Sequence, residues 1–250
     1  MESTEVHARL KQKLEAYKPS EETVALVRAT PVLLLVGISG AGKDSITKGL
    51  LKTGRYHQLV SHTTRQPREN DGVMERDGVE YHFITLEESE RMVDAGAYVE
   101  ANIYGTNVYG TSATEIQMAH DAHKIAVTDL EVQGVADYMQ IDPDNTKAVF
   151  ILPPNYEVWQ KRLSKRYGTT MDQADFEKRM ATALQEIEHA LRTPYFSFVV
   201  NDSLENAVAE VDRIAKGEPE TTQKETAHRV AAALAYSLKL SLAAHQPARV

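Results

Sequence analysis

The chain has 250 residues and a formal net charge of -8, with 42% of its residues hydrophobic and 26% charged, a balance typical of a globular protein. The acidic surplus argues against a general nucleic-acid-binding protein, which usually carries a basic surface, and the absence of cysteine excludes disulfides, thiolate metal sites and thiol nucleophiles. The charged N-terminus lacks the apolar core of a signal peptide and the apolar runs are too short to cross a bilayer, so we expect a cytoplasmic protein without a membrane partner.

In chain order, the first predicted element is a helical extension over residues 1–30, where Leu10, Leu14 and Tyr17 have helical spacing ahead of Pro19. Short apolar runs then occur at 32–36, 125–127, 148–152 and 198–200. They are continuous, which is typical of strands covered on both faces. Helical patterns over 85–97, 175–192 and 203–215 alternate with them. The alternation predicts an α/β fold with a mostly parallel sheet.

Two segments depart from this alternation. Residues 60–83 are polar and contain Asp-Gly pairs at 71–72 and 77–78, which predicts a small antiparallel insert on the α/β core. Gly217 to Pro219 then breaks the chain ahead of an alanine-rich helix over roughly 222–245, with Thr222 and Glu225 spaced as a capping box. Two uses of the apolar face of this helix stay open: packing against the chain's own core, or formation of a homodimer.

A glycine-rich loop follows the first predicted strand and leads into a helix. Small residues suit this position because backbone N–H groups must reach phosphate oxygens without Cβ atoms in the way, and the helix presents its positive N-terminus to the anion. Lys43 then reaches the outer phosphates as a mobile charge. The alternative is a glycine-rich turn with a surface lysine. The ATP-binding residues that this pattern predicts are Gly37, Ser39, Gly40, Ala41, Gly42, Lys43, Asp44 and Ser45.

Asp44 stands where this motif usually has a serine or threonine that contacts Mg²⁺. A carboxylate about 4 Å from a phosphate charge costs roughly 4 kcal/mol at an effective dielectric constant of 20 unless it is neutralised. Three interpretations stay open: Asp44 binds the metal ion directly, Ser45 takes over after a small shift, or catalysis is impaired. Direct binding suits a hard cation that prefers oxygen ligands.

A second group of anion-binding side chains lies in the polar segment. Arg65 and Arg68 are three residues apart and close to the hydroxyls of Ser61, Thr63 and Thr64. Guanidinium groups match phosphate geometry, and hydroxyls fill the remaining lone pairs. Taken alone, such a pair of arginines is more often a solvated surface.

Further motifs follow these two in order. They are S-x-T-T-R-x-x-R from Ser61, Gly78-x-x-Tyr81-x-Phe83, Glu100 with Tyr109-Gly110-Thr111, DLEVQG at 129–134, ILPP at 151–154 and Val200-Asn201-Asp202. Together with the glycine-rich loop, this succession resembles the guanylate kinase family from about residue 31 to residue 216. The resemblance implies a three-layer P-loop kinase fold with a parallel sheet, a GMP-binding insert at about 61–112 and a helical lid at about 155–180. It covers neither the extension at 1–30 nor the one at 217–250.

The resemblance also implies which residues bind the acceptor. The expected contacts to the GMP phosphate are Arg65, Arg68, Tyr81 and Tyr109, and those to guanine are Ser61, Glu100, Thr111 and Glu131. The chemistry of Glu100 is independent of the resemblance, because guanine offers N–H donors where adenine has a lone pair at N1 that a carboxylate repels. A site built on such a polar group rejects the wrong ligand by about 10⁴-fold or more. Glu131 stands where the family usually has an aspartate.

The resemblance assigns the remaining roles to the second half of the chain. Asp129, at the end of an apolar strand, is expected to orient Mg²⁺ or its waters. Arg162, Arg166 and Arg179 match lid arginines that align the phosphates and neutralise transition-state charge; taken alone, this basic run is a solvated helix face. Asn201 matches a contact to adenine, and a cap of the next helix is an equal alternative.

These observations predict transfer of the γ-phosphoryl group of ATP to GMP, with Mg²⁺ bound by Asp44 and Asp129. The residues expected to act in catalysis are Lys43, Arg65, Arg162, Arg166 and Arg179. Two alternatives stay open: a protein-binding module that has lost catalysis, which only Asp44 supports, and a kinase of the same fold with another acceptor, against which Glu100 and Thr111 argue.

Overall fold

The structure is a computed structural model that describes residues 2–70, 72–168, 171–218 and 223–245. The helices in chain order are α1 (Glu2–Glu15), α2 (Glu21–Ala29), α3 (Lys43–Leu51), α4 (Leu86–Asp94), α5 (Ala113–Asp121), α6 (Val132–Ile141), α7 (Tyr156–Tyr167), α8 (Gln173–Arg192), α9 (Leu204–Ala215) and α10 (Gln223–His245). The strands are β1 (Val32–Val36), β2 (Tyr56–Gln58), β3 (His62–Thr63), β4 (Glu69–Asn70), β5 (Val73–Met74), β6 (His82–Phe83), β7 (Tyr98–Tyr104), β8 (Asn107–Ser112), β9 (Ile125–Asp129), β10 (Thr146–Leu152) and β11 (Phe196–Val200). All four apolar runs lie within strands, as predicted.

The chain divides into two compact units, and the phosphate loop belongs to the second, which comprises Leu33–Gly54, Asp129–Val132 and Lys147–Val250. In this unit β11, β10 and β1 are neighbours in that order, and β10 pairs with β11 in parallel. All five residues of β1 are buried, as expected for a strand covered on both faces. Helix α3 packs on α9, next to the strands.

The first unit comprises Met1–Val32, Arg55–Thr128 and Gln133–Thr146. It contains the parallel pair of β2 and β9. It also contains a four-stranded sheet in the order β6-β3-β8-β7. With parallel strands and helices alternating along both units, the α/β class is confirmed, and this second sheet is the part of the fold that the apolar runs did not indicate.

The prediction that the insert is antiparallel is correct only in part. β4 and β5 form an antiparallel hairpin, and the pairing of β3 with β8 is also antiparallel. However, β3 and β6 pair in parallel, with His62 opposite His82. The chain reverses once in the hairpin and again in the turn after Asp77, so β6 returns in the direction of β3. Residue 71 of the first Asp-Gly pair lies outside the described residues.

The N-terminal extension is part of the first unit and packs within it. Val6 and Leu10 of α1 share a buried cluster with Val93 and Tyr98, and ion pairs flank it, one of them joining Arg9 to Glu90 at 3.0 Å. The inclusion of Tyr17 in the first helix is wrong, because α1 ends at Glu15 and α2 begins at Glu21 after the N-cap Ser20. Pro19 explains the interruption, since it disfavours the helical conformation of the residue before it.

The C-terminal helix α10 packs against α8 and β11 of its own chain, which is the first of the two uses considered. An ion pair joins Lys239 to Glu188 of α8. Residue 222 of the predicted capping box lies outside the described residues. Within the described part of the chain, no helix combines the length and the apolar character that crossing a bilayer requires.

Candidate functional site: a phosphate loop and an acceptor pocket

The phosphate loop joins the buried strand β1 to α3, and its glycines adopt backbone conformations that other residues avoid. Gly40 and Gly42 have φ angles of 82° and 96°, in the left-handed region that favours glycine. A Cβ atom on Gly42 would collide with the Asn201 amide, and one on Gly37 would collide with the Ile151 carbonyl. The loop therefore presents backbone groups ahead of α3, whose N-terminus carries the partial positive charge that favours an anion.

Side chains from α7 and from the end of β11 hold this loop in place. Trp159, which is fully buried, donates its Nε1–H to the Ser39 carbonyl at 2.9 Å. Asn201 Nδ2 donates to the Ala41 carbonyl at 2.8 Å. Arg162 donates to the same carbonyl at 3.3 Å and to the Asn201 carbonyl at 2.7 Å. These bonds fix the direction in which the loop presents its own N–H groups.

Two of these supporting side chains carry predicted roles in binding. The N-cap of α9 is Ser203, so Asn201 does not cap that helix; its amide supports the phosphate loop instead. Burial lowers the pKa of Arg162, whose guanidinium still carries its charge at neutral pH. The adenine contact of Asn201 and the lid role of Arg162 stay predictions.

A lysine and two carboxylates meet beside the loop. Lys43 Nζ donates to the Gly37 carbonyl at 2.7 Å, which holds the ammonium group over the loop. Asp129 keeps exposed surface, yet the protein atoms packed around its carboxylate raise its pKa, Lys43 lowers it and Asp44 raises it. Asp44 and Asp129 are thus close enough to repel each other. Two carboxylates that share a site in this way are suitable oxygen ligands for Mg²⁺, which would relieve their repulsion.

The other two arginines predicted for the lid lie beside the same aromatic ring. The guanidinium carbon of Arg179 lies 4.0 Å from the ring centroid of Tyr167, and that of Arg166 lies 5.6 Å from it. The Tyr167 hydroxyl is 3.3 Å from Ser39 Oγ. These cation–π contacts keep both charges beside the phosphate loop, and they give Tyr167 a part that the sequence pattern did not indicate.

A further carboxylate faces this region from α8. Burial raises the pKa of Glu186 to about 7, while Lys43 lowers it and Glu131 raises it. Glu186 lines a cavity of about 330 Å³ together with Ser39, Trp159 and Arg179. The structure therefore places Glu131 in the electrostatic surroundings of Glu186, and the contact of Glu131 with guanine stays a prediction.

In the first unit, Arg65 is paired with an acidic residue of the insert. Its Nη1 and Nη2 donate to the two carboxylate oxygens of Glu75 at 2.8 and 3.1 Å, and Nη1 also donates to the Gln66 carbonyl at 2.7 Å. Of the five N–H groups of a guanidinium, these bonds use both on Nη1 and one on Nη2. The edge formed by Nε–H and the second Nη2–H faces away from Glu75, and such an edge matches two phosphate oxygens.

Aromatic rings surround the same guanidinium. The Tyr81 ring centroid lies 5.2 Å from the guanidinium carbon of Arg65 and 5.9 Å from the Tyr109 ring. Glu75 and, to a smaller extent, Tyr109 raise the pKa of Arg65. Arg68 is exposed, and its main-chain N–H donates to Glu75 at 2.9 Å. The predicted phosphate contacts are therefore grouped in one place, with Glu75 at their centre.

The predicted guanine contacts Glu100 and Thr111 are direct partners. Glu100 is buried, and its Oε1 accepts the Thr111 N–H at 3.0 Å and the Thr111 hydroxyl at 2.9 Å. Its Oε2 accepts from Asn102 Nδ2 at 3.2 Å. Burial raises the pKa of Glu100 to about 7; Thr111 opposes this shift and Asp137 adds to it. Once ionised, a buried carboxylate with a raised pKa is a strong hydrogen-bond acceptor for a ligand that brings N–H donors.

Tyr138 of α6 completes the surroundings of Glu100. Its ring is fully buried. Its hydroxyl has no hydrogen-bond partner in the described part of the chain. Burial and the nearby charge of Glu100 raise the pKa of Tyr138 well above its usual value. Ser61, the remaining predicted guanine contact, is half-buried, and its carbonyl accepts the His82 N–H at 2.9 Å.

Several residues of these sites were missed by the sequence analysis. Glu75 carried a usable signal, because it is an acidic residue in the same polar insert as two arginines that need a counter-charge. Trp159 and Tyr138 carried none, since an aromatic residue on a helix is usually part of the core. Their roles depend on hydrogen-bonding partners that lie far away in the sequence.

Comparisons with known proteins point to one family. The family model described as "Guanylate kinase" matches residues 29–218. The guanylate kinase of Schizosaccharomyces pombe is 36% identical over 191 residues, covering 75% of this chain and 91% of that protein. The Homo sapiens guanylate kinase is 34% identical over 197 residues, covering 77% of this chain and 95% of that protein. A crystal structure of guanylate kinase from Anaplasma phagocytophilum shares the fold, with a TM-score of 0.57 and 22% identity over 78% of this chain and 89% of that one.

Proposed function

The chain belongs to the guanylate kinase family, and from this premise we propose that it transfers the γ-phosphoryl group of ATP to GMP, giving ADP and GDP. The attacking phosphate oxygen of GMP forms a bond to the γ-phosphorus while the bond to the β–γ bridging oxygen breaks. The bonding electron pair stays on the departing ADP. Such a reaction needs alignment and charge neutralisation more than covalent catalysis.

The single observation that carries the choice of GMP is the buried carboxylate of Glu100. It accepts three hydrogen bonds from Thr111 and Asn102, out of about four acceptor positions that a carboxylate offers. Guanine brings N–H donors at N1 and at the exocyclic amine, whereas adenine brings a lone pair at N1. A buried carboxylate anion binds the N–H donors of guanine favourably and repels the N1 lone pair of adenine. Guanine is therefore the base that this pocket supports.

On the donor side, the phosphate loop, Lys43 and the N-terminus of α3 would hold the triphosphate of ATP. Arg166 and Arg179 would leave the Tyr167 ring to neutralise the charge that develops on the transferred group. On the acceptor side, the edge of Arg65 that faces away from Glu75 and the exposed Arg68 would hold the GMP phosphate. Mg²⁺, bound by Asp44 and Asp129, would polarise the phosphate oxygens as a Lewis acid.

An ADP-release assay across GMP, dGMP, AMP, CMP and UMP tests this function. We expect kcat/KM for GMP to exceed kcat/KM for AMP by about 10⁴-fold. The Lys43→Met variant should lose turnover with GMP. Binding of GMP without turnover of any acceptor would favour a module that has lost catalysis. Turnover only with a base other than guanine would favour a different kinase.

The location and the assembly of the protein are further proposals. Nucleotides are the partners that both sites support, and a net charge of -8 does not favour nucleic acid. We propose a cytoplasmic location, which fractionation would test. Formation of a homodimer through α10 would appear as a doubled mass in light scattering.

A further inference from the structure

The strand that carries Glu100 is at the edge of its sheet, and the N-terminal segment covers that edge. β7 is the last strand in the order β6-β3-β8-β7, so within the described residues one side of its backbone has no neighbouring strand. The hydroxyl of Tyr17 donates to the Tyr98 carbonyl at 2.6 Å and accepts the Tyr98 N–H at 2.9 Å. One hydroxyl thus satisfies both backbone groups of an edge residue, as a further strand would.

The register of β7 changes at the same place. Tyr98 lies opposite Ser112, yet Glu100 lies opposite Thr111. Val99 is therefore the extra residue of a β-bulge. In a regular register Glu100 would lie opposite Gly110. The bulge places Glu100 beside Thr111, whose N–H and hydroxyl its carboxylate accepts.

We propose that Tyr17 is a positioning residue for guanine recognition. Its hydroxyl holds the backbone of Tyr98 where the bulge begins, and the bulge holds Glu100 in the register that presents its carboxylate to the base. The inference rests on the proposed role of Glu100 and extends it to a segment that precedes the matched region 29–218. Without the hydroxyl, two backbone groups of Tyr98 lose their partner, and a shift of the bulge is one way to satisfy them.

Contacts that do not involve this hydroxyl anchor the N-terminal segment as well. The Thr23 hydroxyl donates to the Gly96 carbonyl at 2.9 Å, and the Ser20 N–H donates to the same carbonyl at 3.0 Å. Leu10 is fully buried. Removing the Tyr17 hydroxyl alone should therefore leave the segment docked. Thr23 offers a matched control, because Thr23→Val removes a neighbouring hydroxyl that bonds outside the bulge.

The test compares Tyr17→Phe with Thr23→Val in steady-state kinetics and thermal unfolding. We expect Tyr17→Phe to raise KM for GMP about three- to tenfold, as the loss of one or two hydrogen bonds implies, with KM for ATP and kcat changed less than about twofold. Tyr17→Phe and Thr23→Val should lower Tm by similar amounts. Thr23→Val should leave KM for GMP unchanged. In the Glu100→Gln background, Tyr17→Phe should have no further effect on KM for GMP.

Three results would overturn the proposal: an unchanged KM for GMP in Tyr17→Phe, equal increases in both variants, or an equal increase in KM for ATP. Amide hydrogen exchange of the unsubstituted protein gives a test that needs no variant. GMP should slow exchange at Tyr98 together with Thr111, and protection of Thr111 alone would contradict the inference. If GMP binds and protects both amides without turnover, the proposed kinase function fails while the role of Tyr17 stands.

Discussion

Replacing Glu100 with glutamine exchanges one carboxylate oxygen of the proposed guanine site for an NH₂ group, and the structure determines where that group must point. Thr111 donates two hydrogen bonds to Oε1, so the glutamine carbonyl oxygen has to take that position. Its NH₂ group then lies at the position of Oε2, where guanine needs an acceptor. Two donors would face each other there.

The expected loss follows from two terms. A hydrogen bond to a charged group contributes about 1.5–3 kcal/mol, and a buried donor left without an acceptor costs about 1–3 kcal/mol more. A total of about 2.5–6 kcal/mol corresponds to a fall of roughly 10²- to 10⁴-fold in kcat/KM for GMP. AMP should lose much less, because the amide can donate to adenine N1, so the preference for GMP should narrow.

The assay is ADP release with GMP and with AMP at saturating ATP, followed by a titration of ATP. The matched control is Glu87→Gln, which removes the same charge from an exposed position on α4; its kinetics should equal those of the unsubstituted protein. A fall of less than about tenfold for GMP in Glu100→Gln, or an equal rise in KM for ATP, would refute the assignment of Glu100 to the base.

Three other expectations follow from the same sites. Because burial raises the pKa of Glu100 from 4.5 to about 7, the proposed guanine site is protonated below about pH 7, and KM for GMP should rise about tenfold between pH 8 and pH 6. The contribution of Glu100 to folding stability should be lost as pH rises from 4.5 towards 7. A Glu100→Gln pH profile as steep as the native one would assign the titration to the GMP phosphate. Glu75→Ala should raise KM for GMP about tenfold or more and lower Tm, since it leaves the buried Arg65 without its bidentate partner. Glu75→Gln should change KM for GMP and Tm less. Unchanged GMP kinetics in both variants would show that Glu75 does not orient Arg65. Asp44→Ser should alter the relative rates with Mg²⁺, Mn²⁺ and Ca²⁺ if Asp44 binds the metal ion, and an unaltered metal profile would count against that role.

The four strands with continuous apolar runs and the phosphate loop could be predicted from local patterns. β1 is a continuous run of five buried residues, and the loop after it combines glycines with Lys43 at fixed spacing. Helix α4 lies within the helical pattern over 85–97 and begins at a capping box formed by Thr85 and Glu88. Such features depend on residues a few positions apart, where the sequence already contains the interacting partners.

The sheet that holds the acceptor pocket was less predictable. Its strands β3 and β6 have only two residues each, too few for a period of two to be visible, and they pair in parallel across a hairpin. The partner of Arg65 is an acidic residue ten positions away, on the far side of that hairpin. Strand pairing across such a loop is decided by tertiary contacts rather than by local propensity.

By itself, the sequence determined the α/β class, the phosphate loop and the order of the motifs, and it predicted Glu100 as the carboxylate that contacts the base. Only the tertiary structure decided that Trp159 and Asn201 support the loop, that Glu75 engages Arg65, and that Tyr17 covers the edge of β7. The physical reason is that these contacts join residues distant in sequence. The pairing of buried donors with buried acceptors depends on the packing of whole elements. This pairing cannot be predicted from residue spacing along the chain.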